Sequence, residues 1–541
     1  MSHDNPQSGL AFTPGEALIK RPAAAYRDAW FRYQSGSWDG ARFRTARIEA
    51  GIHLQRAPST RYMVRVKVPY GWLSSQQLRT LADLAPAHTP TLHFTTRQAV
   101  ELHDVEPEAT VPLLAELADA GLTTWEAGGN SVRNVAGCPL LGTCAAQAFD
   151  PVPVMRRLVR SLLDYAPTKN LPRKLKLAVS GCDRDCSAVR LQDVGLVATR
   201  RDGDRGFRVY VGGGIGATPA LGELIAAFVP VSALIALVQA IAEVFNQRGN
   251  RTQRHRARLK WLVKEMGLED FQHAVVAAYQ DRSRVPVIWA PVDPIAAVLP
   301  APVPLPLPPP CGLNPAVTTR RLWAESGERW AVALTWPGGI LHRDRARQVA
   351  LWADQFGNGR LSTTTWQQLM VHGVPAQVLP ELIAEIKAAD PEQFQTATTV
   401  ISCPGAPYCN LAVTRSSALA KTVAGMLQQA PSGGWAPNTV QICGCPHSCT
   451  HVRFAELGVM GGAARLGRIL VPVYTLWLGG QEQGETPQAG SPTVRIPARR
   501  VPEVIRRLLE AYAQEGSATE SFGVWARRRF LLTRRTGGEQ T

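Results

Sequence analysis

The stretch Tyr62-Met-Val-Arg-Val-Lys-Val-Pro-Tyr-Gly-Trp-Leu73 decides the fold, because it returns as Trp330-Ala-Val-Ala-Leu-Thr-Trp-Pro-Gly-Gly-Ile-Leu341. Pro69 lies over Pro337 and Gly71 over Gly339, an offset of 268. Further landmarks recur in the same order. Leu92-His-Phe-Thr-Thr-Arg-Gln-Ala-Val-Glu-Leu-His-Asp-Val105 matches Leu361-Ser-Thr-Thr-Thr-Trp-Gln-Gln-Leu-Met-Val-His-Gly-Val374. Cys138 and Cys144 match Cys403 and Cys409, Cys182 and Cys186 match Cys445 and Cys449, and Gly195 matches Gly458. Tyr210-Val-Gly-Gly213 matches Trp477-Leu-Gly-Gly480. Offsets that drift only between 263 and 269 mark a tandem duplication. Its seam is the proline-dense run 299–311, which predicts an extended, semi-rigid linker.

Within each repeat the patterning is mixed, so the expected class is α+β. Alternating apolar residues at 63–68 and 100–102 predict strands, and helical spacing covers 78–84, 152–165, 345–355 and 502–515. Each repeat reads as a small sheet-plus-helix module followed by a larger one that carries the cysteines. The 541 residues, 45% hydrophobic and 19% charged, are ample for three or four globular domains. Residues 1–9 are polar and lack the order of a signal peptide, so a cytoplasmic protein is expected. The uncharged stretch 224–242 is interrupted by Pro230, Ser232 and Gln239 and reads as two buried helical segments rather than a membrane span.

The net charge of +16 fits either a plain basic surface or attraction to anions, such as an acidic donor protein, an oxyanion or a polycarboxylate cofactor. Nucleic acid is disfavoured, since no zinc-finger, RNP-type or long basic tract appears. Nine of the ten cysteines fall into four short groups, with Cys311 alone in the linker. The C-terminal groups are Cys403-Pro-Gly-Ala-Pro-Tyr-Cys409 and Cys443-Gly-Cys445-Pro-His-Ser-Cys449. Two loops, each giving two thiolates, suit a four-iron cube, and the flanking glycine and proline let backbone N–H groups reach the sulfurs. Disulfides fit poorly without a secretion signal. Zinc pairs usually span two to four residues, whereas five separate Cys403 from Cys409. Inert thiols would not cluster at matching spacings.

This arrangement, C-x5-C followed by C-x3-C in the second half of a duplicated chain, resembles the siroheme-dependent sulfite and nitrite reductases over roughly 62–509. The resemblance implies two ferredoxin-like half-domains and two larger α/β modules related by a pseudo-two-fold. The expected boundaries are an N-terminal extension at 1–57, half-domains at 58–125 and 323–390, modules at 126–298 and 391–515, the linker at 299–322 and a C-terminal tail at 516–541. It implies that Cys403, Cys409, Cys445 and Cys449 hold a [4Fe–4S] cluster, with Cys449 bridging to the siroheme iron. Arg97 in Thr95-Thr-Arg-Gln98, Arg133 in Arg133-Asn-Val135, and Lys174 and Lys176 in Leu171-Pro-Arg-Lys-Leu-Lys176 then contact substrate or siroheme. Arg258 and Lys260, in Arg256-Ala-Arg-Leu-Lys260, match a further basic stretch that helps hold the tetrapyrrole's carboxylates.

The chemistry asks for such a set. Siroheme carries eight carboxylates and the substrate is an anion, so fixed cations must offset both in a low-dielectric site. Lysines can relay protons to departing oxygens, while arginines position and neutralise. At the positions matching Arg97, Arg133, Lys174 and Lys176 the second repeat has Trp366, Thr398, Pro437 and Thr439, none basic. One composite site follows: cluster ligands from the C-terminal half facing cations from the N-terminal half.

Some features depart from the family pattern. Cys138, Cys144, Cys182 and Cys186 keep ligand spacing and read as inherited or buried thiols facing a non-basic wall, with a second cluster as the alternative. Cys443 is an extra thiol beside the site, and His447, where the family often has asparagine, reads as a hydrogen-bond donor to the cluster's surroundings. Gly212-Gly-Gly-Ile-Gly216 belongs to the duplicated module, and no flavin or nicotinamide motif accompanies it. Electrons are therefore expected from another protein, an acidic one such as ferredoxin. The plant-type nitrite reductases typically have asparagine at the position of Lys176 and sulfite reductases lysine. The extra cation favours dianionic sulfite over monoanionic nitrite. Six-electron reduction of sulfite is thus expected, nitrite reduction is the alternative, and a siroheme or cluster protein acting only in electron transfer is the reading from another class.

Overall fold

A computed structural model describes residues 16–290, 313–428, 437–482, 487–517 and 520–531. The proline run 299–311 lies outside these residues, and the linker's end carries the short helix Pro315–Arg321. The four helical stretches expected from sequence form the helices Ser75–Asp83, Val152–Asp164, Arg343–Gln355 and Val501–Glu515. At the first of these Ser74 Oγ accepts the Gln77 N–H at 3.1 Å, while Gln77 Oε1 accepts the Ser74 N–H at 3.2 Å. Leu78, Leu81 and Ala82 then fall on one buried face.

The stretch 224–242 differs from its reading as two helical segments. Glu223–Pro230 is a strand, and only Leu234–Arg248 is helical. A continuous apolar run cannot distinguish a buried strand from a buried helix; here the strand lies between two partners in its sheet. Among the described residues no helix is long and apolar enough to cross a membrane.

The two ferredoxin-like half-domains complete each other. Strand Trp72–Ser74 of the first repeat leaves its own sheet and pairs with Arg360–Thr363 of the second, Leu73 opposite Leu361. Reciprocally, Ile340–His342 pairs with Thr91–Phe94, Leu341 opposite Leu92. The helices that follow these exchanged strands pack together, and Leu78, Leu81, Val349 and Ala353 share one hydrophobic core. Residues before 58 join that core through Tyr26, Trp30 and Phe43.

Each larger module has a mixed sheet whose leading strands are parallel. Ala136–Gly137, Leu177–Ser180 and Val194–Arg201 run in parallel order in the first, and Thr399–Ser402, Thr439–Cys443 and Leu457–Leu466 in the second. The cysteines sit just beyond the carboxyl ends of the first two strands, where open α/β sheets form their binding crevices. The segment read as a C-terminal tail carries the helix Phe522–Leu531, which buries Phe522 and Trp525 in the second module's core.

Two glutamines in left-handed conformation lock half-domains to modules symmetrically, Gln98 at φ 57° and Gln367 at φ 60°. Gln98 Nε2 donates to the Thr363 carbonyl at 2.7 Å and its Oε1 accepts the Gly137 N–H at 2.7 Å. Gln367 Nε2 donates to the Phe94 carbonyl at 2.8 Å and its Oε1 accepts the Ser402 N–H at 2.8 Å. Each pins the residue just before a repeat's first cysteine. The Pro-x-Gly echo has the same origin: a Cβ on Gly71 would meet the Thr363 carbonyl oxygen at 2.2 Å, and one on Gly339 the Phe94 oxygen at 2.7 Å. Gln98→Ala strands these buried groups and is expected to destabilise the chain by about 2–4 kcal/mol. Urea unfolding checks this; a loss below about 0.5 kcal/mol would show that the loops interlock without it.

Candidate active site

The second module's thiols converge on one point. Cys443, fully buried, contacts the thiols of Cys403, Cys445 and Cys449, and its sulfur accepts the Cys449 N–H at 3.3 Å. Cys409, half-buried, is linked to Cys403 and Cys449 only through their charges. Contact alone would therefore favour Cys443 over Cys409 as a ligand. Two observations point the other way. Backbone N–H groups of Leu411 and Ala412 aim at the Cys409 sulfur, and Cys409 has a cysteine counterpart, Cys144, whereas Cys443 matches Ser180. Around the other sulfurs, Gly444 N–H donates to Cys403 Sγ at 3.1 Å, the Ser416 hydroxyl lies 3.1 Å from it, and His447 Nδ1 lies 3.5 Å from Cys445 Sγ. Such N–H···S contacts stabilise thiolate charge, so the donor set fits a four-iron cluster.

The cations come from the first repeat. Arg97 donates to the carbonyls of Asn134 at 3.4 Å and Leu177 at 3.3 Å, and to Gln192 Oε1. Arg133 donates to the carbonyls of Ala127 at 2.5 Å and Gly129 at 2.8 Å, while its Nε is buried without a partner. Both guanidiniums are thus hydrogen-bonded to neutral oxygens, with the Asp193 carboxylate acting on Arg97 only through its charge. Burial, followed by Arg133 and Arg258, pushes the Lys174 amine down to about 7. Lys176 is also held well below the usual lysine range, by burial and then by Arg97 and Lys174. The negative charge of Cys449 works against both shifts. In turn the Cys449 thiol is lowered by hydrogen bonding to Cys443 and then by Lys174, Lys176 and His447. Cysteine and lysines from opposite repeats therefore face each other across one site. Thr96 Oγ1, next to Arg97, donates to the Cys449 carbonyl at 2.8 Å and ties the two loops together. Crowded cations whose affinity for protons falls without a counter-anion fit a polycarboxylate cofactor and an anionic substrate.

Arg258 and Lys260 each have partners within the first module. Arg258 is engaged by the fully buried Asp193, with Nε and Nη2 at 3.0 and 2.8 Å from Oδ1 and Nη2 at 2.8 Å from Oδ2. The same carboxylate accepts the Lys176 backbone N–H at 2.8 Å, so Arg258 positions the lysine loop through Asp193. Lys260 donates to the carbonyls of Gly214, at 3.4 Å, and Thr218, closing that loop. Thr96 belongs to the Thr95-Thr-Arg-Gln98 segment, but nothing local in the sequence marks Asp193, whose partners Lys176 and Arg258 lie far apart along the chain. Asp193→Asn leaves the Arg258 charge buried without its partner and is expected to destabilise the fold by about 3–5 kcal/mol. Chemical denaturation reads the effect, and an unchanged midpoint would contradict this geometry.

Comparison with known proteins accords with this arrangement. The family model for the nitrite and sulphite reductase 4Fe-4S domain matches residues 128–282 and 394–537, and that for the nitrite/sulfite reductase ferredoxin-like half domain matches 53–120 and 324–389. The chain is 29% identical over 528 residues to a ferredoxin–nitrite reductase of Synechococcus elongatus, covering 94% of this chain and 96% of that one. It is also 29% identical over 410 residues to a sulfite reductase [ferredoxin] of Mycobacterium tuberculosis, covering 74% of this chain and 70% of that one. The solved structure of the Mycobacterium tuberculosis NirA protein superimposes with a TM-score of 0.80 at 25% identity, over 96% of each chain. With both domain types matched twice, in the order of the internal repeat, the chain belongs to the nitrite and sulfite reductase family, enzymes that use siroheme and a [4Fe–4S] cluster.

Proposed function

We propose that the protein reduces sulfite to sulfide by six electrons, and that the observation carrying this reading is the pair Lys174 and Lys176 facing Cys449. In this reading Cys403, Cys409, Cys445 and Cys449 would hold the cluster, Cys449 would join it to the siroheme, and Arg97 and Arg133 would hold siroheme or substrate oxygens. When bound, the siroheme and cluster would supply electrons singly to the substrate. Lys174 and Lys176 neutralise the dianion and deliver protons to the oxygens leaving as water; a lysine whose proton affinity is already lowered can give up its proton. Arg258 acts through Asp193 as a positioning residue, and Lys260 supports the adjoining loop. The donor is an acidic protein of the ferredoxin type, in keeping with the net charge of +16 and with the ferredoxin named for the similar reductases.

Nitrite reduction to ammonia is the second reading. It is favoured by the similarity to the nitrite reductases of Synechococcus elongatus and Haloferax mediterranei. Anaerobically purified protein assayed with reduced methyl viologen separates the two. Higher kcat/KM for sulfite with sulfide as product supports the proposal; higher kcat/KM for nitrite with ammonium overturns it. A siroheme spectrum without turnover of either ion would leave electron transfer as the role.

A further inference from the structure

Cys138, Cys144, Cys182 and Cys186 take no part in the site just described, yet the fold brings them together at the ends of the same two strands. They follow the parallel strands Ala136–Gly137 and Leu177–Ser180, the positions that Cys403, Cys409, Cys445 and Cys449 take after Thr399–Ser402 and Thr439–Cys443. The Cys138 thiol contacts that of Cys186, the Cys144 thiol contacts that of Cys182, and Cys186 lies within electrostatic reach of Cys144. Spacing alone leaves these as inherited thiols; their surroundings do not.

Backbone N–H groups two residues on point at three of the four sulfurs: Leu140 at Cys138, Ala146 at Cys144 and Arg184 at Cys182. The second module repeats this pattern, with Leu411 at Cys409 and His447 at Cys445. Such bonds stabilise the charge of a thiolate ligand, whereas a neutral buried thiol gains little from them. Cations are in place as well. Arg184 bears on Cys144 and Cys182, and Arg360, buried and reaching over from the other half-domain, feels the charge of Cys138. Arg360 is held there by the Leu141 carbonyl at 2.8 Å and by the ring of Trp72, 3.3 Å beneath it.

The grouping of the sulfurs narrows what they would hold. They stand as two touching pairs, Cys138 with Cys186 and Cys144 with Cys182. One zinc ion with bonds of about 2.3 Å needs all its thiolates about 3.8 Å apart. Yet among the described residues the only metal-ligating trio with all its ligand atoms within 4.8 Å is His93, Glu101 and His103, so no three of these cysteines meet that limit. A cube of four irons takes one thiolate per iron from two such loops, and binding it would part each touching pair. We propose that Cys138, Cys144, Cys182 and Cys186 hold a second [4Fe–4S] cluster, one without a haem beside it. The haem is excluded because the positions matching the catalytic cations are packed shut. Trp366 is 8% exposed and stacks on Trp323 at 6.0 Å, Arg321 donates to the Thr396 and Thr398 carbonyls, and Thr398 Oγ1 donates to the Pro437 carbonyl.

Counting decides it. The intact protein, purified anaerobically, is expected to carry about nine irons and eight acid-labile sulfides per siroheme-containing chain, against about five and four with one cluster. Non-denaturing mass spectrometry of the same sample gives the number of clusters without any substitution. The combined variant Cys138→Ser, Cys144→Ser, Cys182→Ser and Cys186→Ser should lose about four irons and four sulfides. It should also lose one reduced-state EPR signal while keeping the siroheme absorbance. Five irons with four sulfides in the intact protein, a zinc ion in their place, or four thiols tied up as two disulfides would each overturn the proposal. The siroheme band reports the catalytic site separately, so failure of that assignment is visible on its own.

Discussion

Cys449→Ala is expected to lower turnover by more than about a hundredfold. Removing a neighbour that merely supports a metal ligand commonly lowers affinity or activity 10–100-fold, and the proposed role of Cys449 is that of the ligand itself. Its exposed side chain leaves no core cavity behind, so the unfolding midpoint of the metal-free chain should move little. Cys443, already against Cys403 and Cys445, is placed to act as substitute fourth thiolate. Iron and sulfide contents are therefore expected to fall less than activity does. Methyl viologen turnover beside iron, sulfide and siroheme measurements tests this. Turnover within a few-fold of the parent would remove Cys449 from its proposed place and make Cys443 the first alternative.

Lys176→Asn should turn the enzyme from sulfite toward nitrite. Opposite unit charges about 4 Å apart attract by about 4 kcal/mol at an effective dielectric near 20, and a dianion loses about twice what a monoanion loses when the cation goes. Solvent fills part of the gap, but even about 1.4 kcal/mol of difference is tenfold. The expected result is a drop of about a hundredfold in kcat/KM for sulfite and of about tenfold or less for nitrite. Lys176→Arg should retain the preference for sulfite, since the charge survives. The Lys176 backbone N–H still reaches Asp193 in either variant, so the loop stays in place. Equal losses for both ions would show that Lys176 serves proton delivery or general neutralisation, and the choice of substrate would have to lie elsewhere.

Much of this was legible before any coordinates. The duplication, the paired cysteine loops and the cation asymmetry all follow from residue identity at fixed spacing. Amphipathic helices such as Ser75–Asp83 announced themselves by their period, while the Ser74–Gln77 cap came only with the structure. The run 224–242 did not, because an all-apolar segment has no period with which to tell strand from helix. The reciprocal exchange of Trp72–Ser74 and Ile340–His342 was equally hidden: a three-residue strand carries too little pattern to name its partner.

The sequence by itself determined that one chain holds two copies of a module that share four matching cysteines, and that only the first copy supplies the cations. Those facts are local, written in which side chain follows which. The tertiary structure decided that Cys449 meets Lys174 and Lys176, that Asp193 neutralises Arg258 and steadies Lys176, and that Trp366 and Arg321 help close the mirror-image position. Cys449 and Lys174 stand 275 positions apart in opposite repeats, and the other contacts join separate segments of one repeat. The first exists only once the exchanged strands and the shared core have fixed one repeat against the other.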